Sequence, residues 1–136
     1  MSNVVEVIVV DRNLTTMSKN LKAAGLDLKL SQKGPFTVFA PTNIAFGKLP
    51  AIKMNDLLKS ENKERLLSLL NHHVIEGITN YKDLKHNQKL VTRNGRELTV
   101  RIVAGKVTIN HAVLQGRDSI GSNGIVHSLD TVIQFD

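Results

Sequence analysis

The sequence predicts an α+β fold, with helices mainly in the N-terminal half and strands in the C-terminal half. Two patterns carry this expectation. Apolar residues recur at three- and four-residue steps through Leu14, Met17, Leu21 and Ala24, and again through Leu66, Leu69, Leu70 and His73. Beyond residue 90 the period becomes two, with Leu98, Val100 and Ile102 alternating with Glu97, Thr99 and Arg101. Segregation of this kind argues against an alternating, doubly wound sheet.

Taken in order, Val4–Val10 is β-branched and reads as a strand on propensity alone. Asn13–Ala24 reads as an amphipathic helix, with Asp11 or Asn13 available as cap and Gly25 just past its end. Phe36–Ala40 is a short buried strand entered through Gly34-Pro35 and ended by Pro41, after which Thr42 or Asn43 can cap a short helix through Phe46. A helix covers Asn62 to about His73. Asn94-Gly95 is the sequence signature of a type I′ hairpin turn, and Ala104-Gly105 turns the chain into Lys106–Asn110. Asn123-Gly124 starts a last strand in which Ile125, His127, Leu129, Thr131, Ile133 and Phe135 point one way. With 136 residues and no linker or repeat, one domain spanning 1–136 is expected.

Composition narrows the chemistry. With no cysteine, disulfides, thiolate nucleophiles and Cys-based zinc sites are excluded. The formal charge of +6 favours polyanionic partners, namely nucleic acid, anionic glycans or acidic membrane surfaces. Aromatics make up only 4% of the chain and no base-reading motif is present, which argues against a specific nucleic-acid partner. No apolar run is long enough to span a bilayer, so no transmembrane segment is expected. Val4–Val10 is broken by Glu6 and lacks both a basic flank and a cleavage site, so it does not read as a secretory signal. The expectation is either a cytoplasmic chain or one whose leader has been removed. Asn13-Leu14-Thr15 fits a glycosylation sequon, relevant only in a eukaryotic secretory pathway.

Two segments are the most constrained: Gly34-Pro35-Phe36-Thr37-Val38-Phe39-Ala40-Pro41-Thr42-Asn43 and Ser122-Asn123-Gly124-Ile125-Val126-His127-Ser128-Leu129-Asp130. Between them a Leu-rich helix runs into His72-His73-Val74. This order resembles the fasciclin-type (FAS1) domain from about Val4 to Ile133, and looks like a bacterial member. The resemblance implies a wedge-like β core with helices packed around it. It also implies a helix, against propensity, at Val4–Val10. Its implied role is a non-enzymatic adhesion or binding module, extracellular or in the cell envelope, contacting a cell-surface or matrix protein or an anionic polysaccharide, with no cofactor.

Site candidates follow from both readings. Thr42, Asn43, His73 and Asp130 match polar positions of the family and are expected to form a hydrogen-bond network clamping strand 36–40, the His73 helix and the last strand. His72 stands where relatives carry the tyrosine of a Tyr-His element, and is a candidate contact. The basic turns offer Lys85, Lys89, Arg93 and Arg96. Asp118 lies in a loop where the family often has adjacent Asp and Ile; here Ser119 follows, Gly116-Arg117 precede, and a plain turn is expected. The alternatives are an interaction domain with one specific protein partner, or, remotely, a histidine- or metal-dependent hydrolase using His73, His127 or His111. Asp130 has opposite strand parity to His127, so those two are not expected to act together.

Overall fold

The computed structural model describes residues 2–115 and 118–134. Among the described residues six α-helices, α1 Val4–Val10, α2 Thr15–Ala24, α3 Leu26–Leu30, α4 Asn43–Gly47, α5 Ala51–Leu57 and α6 Lys63–Asn71, precede all but one of the strands. The strands are β1 Phe36–Pro41, β2 Val74–Glu76, β3 Lys89–Val91, β4 Glu97–Val103, β5 Lys106–Ile109, β6 Ala112–Val113, β7 Ser119–Gly121 and β8 Gly124–Leu129. They form two four-stranded sheets, ordered β2-β1-β8-β7 and β3-β4-β5-β6.

The two constrained segments are neighbours in space. β1 and β8 run parallel in register from Phe36 beside Gly124 to Pro41 beside Leu129. The first sheet is covered on both faces, which explains why β1 is buried at all six positions and lacks alternation. Phe36, Val38, Ala40 and Val126 join one apolar cluster with Val4, Ile8, Leu21, Leu66 and Leu70 of the helices. Phe39 and Leu129 join a second cluster with Leu98, Val100, Ile109 and Ile133, so the second sheet closes over the other face.

Several local expectations are corrected. Val4–Val10 is a helix, as the resemblance implies. Asn3 closes a capping box with Glu6, and Val4 N–H donates to Asn123 Oδ1 at 2.9 Å, so tertiary contacts override β propensity. Neither Asp11 nor Asn13 caps α2 (Asp11 accepts from Asn13 N–H instead); the Thr16 N–H donates to Asn43 Oδ1, a cap supplied from α4. Gly25 does end α2, at φ 73°. Helix α6 stops at Asn71, so His73 lies beyond it. At Asn94-Gly95 only Gly95 has positive φ, and Thr92 pairs with Arg96 across a three-residue loop, not a type I′ turn. The paired positive φ values of a type I′ turn occur at Ala104-Gly105 and at Asn110-His111. β8 ends at Leu129, short of the long alternating strand expected, because Asp130 turns aside to pair with β6; Phe135 lies outside the described residues.

Candidate functional site

The expected network of Thr42, Asn43, His73 and Asp130 resolves into separate ties. Among the described residues none of these four side chains bonds another. Thr42 Oγ1 accepts the Ala45 N–H at 3.2 Å and caps α4. Asn43 accepts from Thr16 N–H at 2.9 Å and donates to Arg12 O at 3.0 Å, fastening the α1–α2 connection. Asp130 Oδ1 accepts from Val113 N–H at 2.7 Å and from the Thr131 hydroxyl at 3.0 Å, which joins the end of β8 to β6.

His73 is fully buried. Ile133 N–H donates to Nε2 at 2.9 Å, which requires the proton on Nδ1, and Nδ1–H donates to Leu69 O at 2.8 Å. Its backbone carbonyl also accepts the Phe39 N–H at 2.7 Å. Burial pushes its pKa from 6.5 down to about 4, with the Leu69 carbonyl pulling up and His72 pushing down. His73 is thus a neutral brace holding α6, β1 and the C-terminal segment, with both ring nitrogens occupied.

His127 is equally buried and stacks on Phe39, ring centroids 5.4 Å apart. Its Nε2 lies 2.6 Å from Thr79 O. Asp118 Oδ1 stands 3.1 Å from Nδ1, within ion-pair distance but outside hydrogen-bond geometry, and accepts weakly from Tyr81 N–H at 3.4 Å. Desolvation lowers the His127 pKa, against the Thr79 carbonyl and the Asp118 carboxylate, which raise it. Asp118 therefore faces into the fold. Its neighbours Gly116 and Arg117, the rest of the Gly-Arg-Asp run, lie outside the described residues.

Two structural centres escaped the sequence reading. Asn123 Nδ2 donates to Leu30 O and Gln32 O, both at 2.7 Å, while its backbone carbonyl accepts the Phe36 N–H at 2.9 Å. Thr37 donates to Gly77 O at 2.7 Å and accepts the Thr79 N–H at 2.9 Å. A buried polar residue inside an apolar strand was the available signal for Thr37. For Asn123 the turn signature of Asn-Gly concealed a side chain with three partners. Gly124 is fixed sterically, since a Cβ there would collide with the Phe36 carbonyl.

The basic candidates divide. Arg93 bonds Glu76 at 3.3 Å and lies over the Phe36 ring at 5.6 Å, a packing role at the β2 edge. Lys85 is exposed at the turn before β3, its N–H held by Gln88. Lys89 reaches Thr99 Oγ1 at 2.9 Å, and Glu97 stands 3.9 Å away. Arg96 is exposed, and its charge, after partial burial, lowers the pKa of half-buried His72. Arg96 opens onto a groove of about 640 Å³ on the second sheet. Among the described residues no three metal-capable side chains converge, and His73, His127 and His111 share no cleft. Among the described residues no helix is long and apolar enough to cross a membrane.

Comparison with known proteins decides the lineage. The sequence profile described as the Fasciclin domain matches residues 12–135. The chain belongs to the fasciclin domain family. It is 39% identical over 130 residues to Protein sll1483 of Synechocystis sp., covering 96% of this chain and 72% of that one. It is 38% identical over 100 residues to the cell surface glycolipoprotein MPT83 of Mycobacterium tuberculosis, covering 74% of this chain and 44% of that one. In structure it is similar to the FAS1 domain pair of the insect cell adhesion molecule fasciclin I, with a TM-score of 0.82 and 20% identity, over 98% of this chain and 51% of that one. That likeness shows the FAS1 fold.

Proposed function

We propose that this fasciclin domain is a non-enzymatic binding module that acts at a cell surface or in an envelope and contacts glycans or proteins through its exposed basic face. The observation that carries this reading is the state of His73. Both ring nitrogens hold backbone groups, so the histidine at the family's motif position braces the fold and has no lone pair or proton to offer a substrate. Cationic side chains, by contrast, stand in solvent on the second sheet, where they can meet anionic partners. The relatives' names, a cell surface glycolipoprotein and a cell adhesion molecule, agree with that placement.

The test is binding of the labelled domain to its own cells and to isolated envelope polysaccharides across a salt series. Saturable binding that weakens steeply with salt is the expected result. Absence of binding at any salt would overturn the electrostatic version.

A second reading, a single specific protein partner, is favoured by one feature. Exposed Ile78 and Ile120 and the exposed Pro35 border a groove of about 770 Å³ where the two motif segments meet. Such a partner would form a salt-tolerant, stoichiometric complex.

A further inference from the structure

We infer that the outer face of the β4–β5 hairpin is a binding site for an acidic polysaccharide, with Arg96 and Arg101 receiving its carboxylate or sulfate groups and His111 at the rim. The inference rests on the binding-module reading and assigns it a place and a ligand chemistry.

Strand register builds the site. Residues 97, 99, 101 and 103 face away from the core, because Leu98 and Val100 are buried in it. Arg101 stands opposite Thr108 on β5, and Lys89 of β3 stands opposite Thr99. The Asn110-His111 turn folds over the end of this face, with φ of 45° and 73°. Asn110 is fixed there, its Oδ1 accepting the Thr99 N–H at 2.8 Å, so its Nδ2 hydrogens remain for a ligand. Arg96, Arg101, Thr108, Asn110 and His111 thus line one groove of about 640 Å³, a volume suited to a few sugar residues.

Charge and chemistry choose the ligand class. Among the described residues neither Arg101 nor His111 has an acidic partner, and the one carboxylate on this face of β4, Glu97, lies beside Lys89. A planar guanidinium in that setting suits bidentate pairing with a carboxylate or sulfate. The hydroxyls and amides between the cations suit sugar hydroxyls, and among the described residues no Phe, Tyr or Trp lines the groove to stack a base. The basic turns seen in sequence contribute Arg96 and, beside the groove, Lys89; the β4–β5 register adds Arg101 and His111.

The experiment measures affinity for polygalacturonate, which carries only carboxylates, and for dextran sulfate, which carries only sulfate esters. Neutral dextran and duplex DNA serve as controls. The paired variant Arg96→Ser/Arg101→Ser is compared with Lys19→Ser/Lys22→Ser, which removes the same charge from exposed positions on α2. The expected result is a loss of about tenfold for the first pair and under about twofold for the second, with unchanged melting temperatures. Whichever polysaccharide shows the loss identifies the anionic group. Equal losses for both pairs would overturn the site in favour of diffuse charge, and tighter binding to DNA would overturn the ligand class. Binding to whole cells without binding to either polysaccharide would overturn this inference and leave the binding-module reading intact. Binding to neither would sink both.

Discussion

The β1–β8 seam and the outer face of β4–β5 use polar residues in opposite ways. Along the seam His73, Asn123 and Thr37 are each consumed by two or more backbone groups, and Asp130 by the Val113 N–H and the Thr131 hydroxyl. Two glycines, Gly34 and Gly124, stand where any side chain would strike a carbonyl. On the outer face Arg101 and His111 hold nothing among the described residues. The segments that identify the family are those that assemble it. The candidate contact surface lies on a different sheet, in positions that sterics leave open, which is where a shared scaffold can vary its partner.

This contrast can be broken in graded steps. Gly124→Ala carries the largest expected effect. Its new Cβ strikes the Phe36 carbonyl within the parallel pairing, so the strands must part, at a cost of about 3 kcal/mol or more. Chemical denaturation checks it.

His73→Phe comes next. It leaves the Ile133 N–H without its partner and the Leu69 carbonyl with only the His72 N–H, a loss of about 1–3 kcal/mol, or roughly 5–10 °C in melting temperature. It also removes a pH dependence. Because the folded pKa of His73 is depressed to about 4, the unfolded chain binds a proton below 6.5 that the native state refuses. Wild-type stability therefore falls as pH drops from 6.5 toward 4, by about 3 kcal/mol from this group, and levels off below. The Phe variant should show a shallower decline over that window, measured by denaturation at a series of pH values.

Asn43→Ala should cost about 1 kcal/mol, the value of a helix cap, because it strips Thr16 N–H and Arg12 O of their partner. Smallest of all, Arg101→Ser should change stability by under about 0.5 kcal/mol, since the side chain has no partner among the described residues. A large loss there would dissolve the distinction between the two regions.

Legibility in the sequence followed the same division. The Gly34–Asn43 and Ser122–Asp130 segments could be read because tight packing restricts each position to few residue types. Propensity misread Val4–Val10, where a capping box and a cap from Asn123 stabilise a helix of β-branched residues. Asn94-Gly95 looked like the two-residue turn that Asn110-His111 makes, because His at positive φ leaves no compositional signature. Helices α3 and α5 and strands β2 and β7 are too short for a period to emerge. The basic turns drew attention to Lys85, Lys89, Arg93 and Arg96. Only register shows that Arg93 is committed to Glu76 and Phe36 while Arg101 joins Arg96 in one groove.

The most direct measurement is an amide chemical-shift map of the labelled domain titrated with the polysaccharide it binds. Shifts confined to residues 96–111, with the amides of Phe39, Ile133 and Val4 unmoved, are the expected result. Shifts centred on the β1–β8 seam, with the hairpin silent, would contradict the division between a scaffold that holds and a face that binds.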